Sequence, residues 1–586
     1  MRVLGIVANT HDSGLALLVD GVPEIVLEEE RFNRQKKTKR FPKLSLAAAF
    51  EERGLGIAEV DAIVTPWDIG RLRRTVAGVL LKGFPSSLNL LHQRAHKGQR
   101  NQIVFLNRYL KEGLEEHFGA ISIPPVINVG HHESHASAFF VSPFDEAAVV
   151  VMDGYGDEFA TSVYAGKGNR MQRLWGMDVL NSLGLVYTFI TQFLGFKAFH
   201  DEGKVMGLAA YGGPGFVDRF RKLVKLTPDG RYKVDMSYFS YDRFGQIQPF
   251  KEKFHAEFGA PRQPGEDLTQ RHSDIAFGLQ AMLEECVLHI IRGLESQVST
   301  RNLIMSGGVA LNCVANARIL AETSFKRLWV PPSASDSGTP LGAALWHWHQ
   351  DLGNDRTFEL THAYWGRTPT DREIVLALDG AGLRHRRLPE GELVARAARD
   401  IAAGKIVGWY QGRCEIGPRA LGNRSILADP RRAEMKDIIN ARIKHREAFR
   451  PFAPAVPVER AAEYFHIDQP DPFMTIAPRV RAEKAAEIPA VVHADGTGRI
   501  QTVSHNANPR YHKLITEFGR ITGVPVLLNT SFNRQEPVVA RADEAVSCYL
   551  RTGMDVLVMG DTYCTDRNPD AVERAVKRFG QARPGV

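Results

Sequence analysis

The stretch AVVVMDG, Ala148 to Gly154, decides the fold. A run of apolar residues ends in an acidic residue and a glycine. YGDEF then turns the chain, and ATSVYAG (Ala160 to Gly166) returns. Apolar runs bounded by turn residues read as paired strands. The same unit opens the chain: VLGIV (Val3 to Val7), the turn THDSG, LALLV (Leu15 to Val19), the hairpin signal Asp20-Gly21 and the strand EIVLEEE. Two copies about 140 residues apart imply a duplicated α/β fold. In such folds the turn after the first strand gathers backbone N–H groups and an acidic side chain, which suits phosphate or metal.

Outward from these units, residues 69–120 carry helical periodicity and read as an insertion. Residues 212–265, with MSYFSYDRFGQIQPF inside, read as another. A boundary falls near 350–368, where Gly, Asp and Pro follow a helical segment. Beyond it KIVGWYQG, ADPRRAEMKDIINARI and GVPVLLNTSFN alternate strand and helix, so a second α/β domain is expected over 368–586 after a first over 1–355. The last residues, QARPGV, read as a frayed tail.

Composition narrows the class. Apolar residues are 44% and charged residues 24% of 586, an ordinary globular balance with two to four domains' worth of chain. No apolar run approaches the ~18 residues of a membrane span, and the N-terminus lacks a secretory pattern. The five cysteines form no CxxC pair, so a reducing cytoplasm is the expected compartment. The net charge of +7 is modest and fits anionic small substrates. Its densest run, RFNRQKKTKR (Arg31 to Arg40), reads equally as a solvated loop or a phosphate-facing segment.

In NVGHHESHASAFF, His131 and His135 are four apart and share one helix face, so they can share one ion. Alone such a pair is as often a surface cluster. Asp153, at a strand end, and Asp336, in PPSASDSGTPLGAAL, supply carboxylates; two imidazoles and two carboxylates suit a first-row divalent metal. SGGVALN (Ser306 to Asn312) follows an apolar strand and opens a helix, and DSGTPLG repeats that logic at Gly338. Paired glycines allow close backbone approach, and helix N-termini favour anions. The second domain concentrates cations: Arg413, Arg419 and Arg424 in GRCEIGPRALGNRS, Lys444, Arg446 and Arg450 in INARIKHREAFRPFAP, and Arg499 in DGTGRIQTVS. LLNTSFN adds Asn529, Ser531 and Asn533. Singly these read as surface residues with acidic partners; together they describe an anion pocket.

The segments VANTHDSGLALLVDG, HHESH, MDGYGD, DEGKVMGLAAYG, SGGVALN, GPRALGNRS, FRPFAP, DGTGRIQTV and PVLLNTSFN resemble, in order from residue 1 to about 560, the O-carbamoyltransferases of natural-product and nodulation-factor biosynthesis. The resemblance implies a duplicated actin-like ATPase domain (ASKHA, Kae1-like), as in the tRNA threonylcarbamoyl transferases, followed by a YrdC-like α/β domain. It implies that the second domain makes carbamoyl-adenylate from carbamoyl phosphate and Mg-ATP, and that the first transfers the carbamoyl group to a small-molecule alcohol.

By motif, it makes His131, His135, Asp153 and Asp336 ligands of a divalent metal, often iron. It makes Gly154, Gly307, Gly308, Asn312, Gly338 and Lys36 nucleotide or adenylate residues. Lys37 remains an alternative to Lys36. It puts His11 as general base beside Asp12, and Arg419, Arg424, Lys444, Arg450, Arg499, Asn529, Ser531 and Asn533 at the carbamoyl phosphate and ATP site. Neither nucleic acid nor a membrane is expected as partner; a homodimer is allowed. Rival readings are a threonylcarbamoyl-tRNA enzyme, which needs a basic stripe that the chain lacks, and an actin-like ATPase without carbamoyl chemistry. The acceptor alcohol is not legible.

Overall fold

The computed structural model describes residues 1–91, 103–119 and 123–580. Part of the 69–120 segment and the tail QARPGV therefore lie outside the described residues.

Contacts divide the chain into two compact units. The first holds Met1–Glu24, Lys37–Lys43 and Gly54–Glu359. The second holds Ile25–Lys36, Leu44–Arg53 and the chain from Leu360 onward. This differs from a division by chain order, because two N-terminal segments join the second unit. A buried polar clamp ties the first of these segments to the second unit. Arg31 Nε donates to Glu28 Oε2 at 2.8 Å, Arg31 Nη2 to the Gly417 carbonyl at 2.7 Å, and the Gly417 N–H to Glu28 Oε1 at 2.9 Å. A buried ion pair holds when its remaining lone pairs and protons are satisfied, as here.

In the N-terminal sheet, β1 (Arg2–Val7), β2 (Gly14–Val19), β3 (Val22–Glu28), β4 (Ala62–Thr65) and β5 (Val126–Asn128) are ordered β3–β2–β1–β4–β5. β1 pairs antiparallel with β2 and parallel with β4, and β4 pairs parallel with β5. Asp20 and Gly21 both have positive φ (48° and 83°), the turn a tight hairpin needs. β6 (Glu146–Met152), β7 (Phe159–Lys167) and β8 (Arg170–Asp178) meander antiparallel. A small hairpin, β9 (Val224–Leu226) and β10 (Tyr232–Val234), lies in the 212–265 segment. β11 (Asn302–Ser306) then joins β6 in parallel, and β12 (Arg327–Trp329) joins β11.

The second order, β8–β7–β6–β11–β12, repeats the first strand for strand. This is the duplicated α/β arrangement that the two strand–turn–strand units imply. β6 is buried from Ala147 to Met152, as a strand covered on both faces should be. Its apolar run carries no alternation for that reason.

The helix Thr339–Trp346 packs on β1 so closely that a Cβ on Gly5 would lie 1.9 Å from the Pro340 carbonyl oxygen. Only glycine fits there. That contact brings Asp336, just before the helix, towards the turn after β1.

The second unit carries a mixed sheet of β13 (Arg386–Arg387), β14 (Val407–Tyr410), β15 (Arg424–Ala428), β16 (Ala453–Pro457), β17 (Gln501–Val503), β18 (Leu527–Ser531), β19 (Val556–Met559) and β20 (Thr562–Cys564). Their order is β13–β20–β19–β14–β15–β18–β16–β17. Helices Glu390–Ala402 and Pro509–Thr522 cover one apolar cluster through Leu393, Ile401, Leu514 and Phe518. Among the described residues, no helix is long and apolar enough to cross a membrane.

Candidate functional site

His131 opens the short helix His131–Ala136 and His135 lies one turn on, so both imidazoles point the same way. Asp153 follows β6, and Asp336 opens the turn before Thr339. The four are buried, and one ligand atom from each lies within 4.8 Å of the others. His131 Nε2 is 3.3 Å from Asp153 Oδ2 and 3.6 Å from Asp336 Oδ1; His135 Nε2 is 3.8 Å and 3.6 Å from the same oxygens.

His135 Nε2 and Asp336 Oδ1 are buried without a hydrogen-bond partner. Buried polar atoms are rarely left so, and a cation between them would satisfy both. The residues therefore fit a divalent metal with N/O ligands. Burial opposes charge here, but Asp336 and Asp153 raise His131 well above the ordinary imidazole value. Burial and Asp336 likewise oppose ionisation of Asp153, yet His131 and His135 bring it down to about 2.

Outer partners fix this set. His131 Nδ1 faces the Pro66 carbonyl at 3.2 Å, which leaves Nε2 as the ring nitrogen that faces the carboxylates. Trp67 stacks on the His131 ring with centroids 4.0 Å apart. Asp157 Oδ2 accepts from the His131 backbone N–H at 2.7 Å, and burial pushes its carboxyl up to about 7. Asp157 lies in the YGDEF turn, whose residue types do not announce this role; Trp67 had no signal at all.

The turn after β1 completes the first unit's site. His11 Nδ1 is 3.2 Å from Asp12 Oδ2 and 3.7 Å from Asp336 Oδ2. Asp12 sits at φ 66°, a left-handed conformation uncommon for a non-glycine residue and found disproportionately at functional sites. Residues 38–39 lie against this turn, with Asn9 N–H on the Lys39 carbonyl and Ser13 N–H on the Thr38 carbonyl. Lys37 Nζ thereby reaches Asp12 Oδ2 at 2.6 Å. Lys36, next in the chain, belongs to the second unit instead. The two lysines that the sequence leaves as alternatives thus go to different places.

Of the glycine-turn residues, Gly307 is at φ 86° with a Cβ position only 2.3 Å from the Met152 carbonyl oxygen. The Gly308 N–H donates to Asp153 Oδ1 at 2.9 Å, tying the SGG turn to the ligand cluster. Gly338 packs against the Ser333 carbonyl, whereas a Cβ on Gly154 would meet open space. The Asn312 side chain is engaged internally: its Oδ1 caps the helix at Ala315 N and accepts from Gln280 Nε2, and its Nδ2 donates to Gln280 Oε1.

In the second unit, Lys444 is buried and donates to the Asn533 carbonyl and Oδ1, both at 2.8 Å, and to Ser531. Burial, then Arg446 and Lys36, hold its pKa well below the ordinary lysine value. Arg446 is brought down to about 9 by burial and by Arg450 and Arg499. It stays charged at neutral pH. Lys36 feels the charges of Glu30, Arg450, Glu536 and Arg31. Lys36, Lys444, Arg446, Arg450 and Arg499 therefore form one crowded cationic group, which an anion would relieve. Arg446 is the member the sequence quoted without singling out.

Arg424 stands apart from this group. It is fully buried, donates to the carbonyls of Gln411, Gly412 and Asn423, and lies 3.9 Å over the Tyr410 ring. Asn529 Nδ2 donates to the Ala420 carbonyl and to Gln501 Oε1, while its Oδ1 is buried without a hydrogen-bond partner. Arg419 is half-buried in the loop before β15.

Residues 2–345 match the family model described as carbamoyltransferase N-terminus, and residues 398–566 match the one described as carbamoyltransferase C-terminus. An uncharacterized protein of Synechocystis sp. is 40% identical, with 95% of each chain covered. Nodulation protein NolNO of Sinorhizobium fredii is 38% identical over 94% of this chain and 78% of its own. Nodulation protein U of Sinorhizobium fredii is 29% identical over 91% and 94%. Both halves of one enzyme family are matched in order, and near-full-length relatives share the pattern: the chain belongs to the carbamoyltransferase family and is a transferase.

Proposed function

We propose that the chain is an ATP-dependent O-carbamoyltransferase acting on a hydroxyl of a small molecule in the cytoplasm. In the second unit, water cleaves carbamoyl phosphate to carbamate and phosphate. Carbamate oxygen then attacks the α-phosphorus of Mg-ATP, giving carbamoyl-adenylate and pyrophosphate. In the first unit, the acceptor hydroxyl attacks the carbamoyl carbon and AMP leaves with the C–O bond electrons.

The observation that carries this reading is the contact between His11 and Asp336, which joins a base candidate to the buried ligand cluster. His11 takes the acceptor proton at a ring nitrogen, a role worth typically ~10²–10⁴-fold. Asp12, held by Lys37, orients the imidazole. His131, His135, Asp153 and Asp336 would hold the metal, iron by family resemblance, which as a Lewis acid supplies stabilisation of phosphate charge. Lys36, Lys444, Arg446, Arg450 and Arg499, with Ser531 and Asn533 holding Lys444, bind the phosphates of carbamoyl phosphate and ATP. Arg419 and Asn529 are assigned to the same pocket, whereas the terminal nitrogens of Arg424 are engaged by the carbonyls of Gln411, Gly412 and Asn423. The turns at Gly154, Gly307, Gly308 and Gly338 receive the nucleotide, with Asn312 fixing the helix behind them.

Incubation with labelled carbamoyl phosphate, ATP and a panel of hydroxyl-bearing acceptors tests this. The expected product is an acceptor heavier by one carbamoyl group; a phosphorylated acceptor would contradict it.

A further inference from the structure

His131 is held differently from its neighbour His135. Its ring nitrogen Nδ1 meets the Pro66 carbonyl and its face is covered by Trp67. Pro66, Trp67 and Asp68 form the segment leaving β4, a loop with no sheet partner of its own. Asn128 Nδ2 holds the Trp67 carbonyl at 2.9 Å, and Arg71 joins Asp68 to Glu133 of the helix His131–Ala136. Asp157 adds a direct tie between the loop backbone and the first turn of that helix. Its Oδ1 accepts from the Asp68 backbone N–H at 3.1 Å, and its Oδ2 accepts from the His131 backbone N–H at 2.7 Å. The first N–H groups of a helix have no partner within it, so this carboxylate supplies one. Asp157 is buried at 3% exposure.

We infer that Asp157 is a positioning residue for the metal centre: by clamping the Pro66–Asp68 segment and the start of the ligand helix to one carboxylate, it sets the angle at which His131 Nε2 faces the ion. The inference rests on the metal reading of the His131, His135, Asp153 and Asp336 cluster. Asparagine is the same size but offers a single acceptor oxygen, and its NH₂ would face an amide hydrogen. One of the two bonds must therefore break in Asp157→Asn. The loop, still held by Asn128 and Arg71, would let the Trp67 ring and the Pro66 carbonyl shift against His131. Loss of such outer-sphere partners typically weakens metal binding by ~10–100-fold.

The test uses the full chain, stripped of metal with a chelator and titrated with Co(II), whose visible absorption reports ligand geometry. The wild-type protein is expected to bind Co(II) and His131→Ala to lose it. Asp157→Asn is expected to bind about 10–100-fold more weakly with a changed Co(II) spectrum, while its metal-free form melts close to the wild type. Asp157→Glu, which keeps two acceptor oxygens, should recover part of the affinity. If wild type binds and His131→Ala does not, but Asp157→Asn matches wild type in affinity and spectrum, this inference alone fails. If metal-free Asp157→Asn melts far below wild type, Asp157 is a structural residue and the inference also fails. If wild type takes up no Co(II), or His131→Ala takes it up equally, the metal reading falls and carries this inference with it.

Discussion

His11 Nδ1 lies 3.7 Å from Asp336 Oδ2, and the other oxygen of Asp336 faces both imidazoles of the helix His131–Ala136. One carboxylate thus links the group proposed to move a proton with the group proposed to hold an ion.

If His11 is the general base, His11→Ala should slow carbamoyl transfer by about 10²–10⁴-fold. Pyrophosphate release driven by carbamoyl phosphate should persist, because it belongs to the second unit's chemistry. Parallel assays of pyrophosphate and carbamoylated product would separate the two. Equal loss of both would remove His11 from the transfer step.

Asp336→Asn and His135→Ala each remove one of four clustered ligands. Bound metal, measured by elemental analysis after dialysis, should drop to background in both. Chelation of the wild-type protein should lower its melting temperature, since an ion that binds only the folded state stabilises it by mass action. An unchanged midpoint after metal is verified as removed would argue against an ion at this cluster.

Lys37 and Lys36 should separate functionally. Lys37→Met removes the Nζ donor to Asp12 at 2.6 Å and is expected to depress transfer. Lys36→Met takes a charge from the cluster with Arg450 and Lys444 and is expected to raise the KM for carbamoyl phosphate or ATP. Steady-state kinetics on both half-reactions would reveal a crossed or shared pattern if this division is wrong.

Arg424 and Arg499 make a second contrasting pair. Arg424→Lys loses the planar fork that serves three backbone carbonyls and the stack on Tyr410, and should destabilise folding by about 2–4 kcal/mol. Arg499→Ala should leave the urea midpoint nearly unchanged and raise the substrate KM. Equilibrium unfolding with kinetics on the same preparations decides between them.

Acid should act through His493. Burial, with Arg499 adding and Asp495 opposing, holds its imidazole down at about 4, against 6.5 in the unfolded chain. Between those values the unfolded state binds the extra proton. The stabilising contribution is therefore complete above about 6.5 and is lost as pH falls through about 4. The loss should be on the order of 1–3 kcal/mol. Urea unfolding from pH 7 to 4.5 should show a shallower decline in His493→Gln; an identical decline would contradict the assignment.

Much of this was legible in residue order. The doubled meander follows from two apolar runs that each end in an acidic turn. That His131, His135, Asp153 and Asp336 come together accords with the four-residue spacing of the two histidines and with carboxylates at a strand end and a helix start. What was not legible depends on partners distant in sequence. The Glu28–Arg31 pair draws residues 25–36 into the second unit through Gly417, nearly four hundred positions away. Arg424 and Asn312 have the right chemistry for a ligand, but nearby carbonyls and amides engage the terminal nitrogens of Arg424 and the amide of Asn312. Residue type gives a capacity to bind; only the fold says which partner takes it.

The central claim is that carbamoyl phosphate and ATP are joined through an adenylate. Its most direct measurement follows the purified chain with α-labelled ATP, with and without carbamoyl phosphate. The account predicts that carbamoyl phosphate switches on equal release of pyrophosphate and phosphate, with label recovered as carbamoyl-adenylate or AMP. Formation of ADP at the same rate whether or not carbamoyl phosphate is present would contradict it.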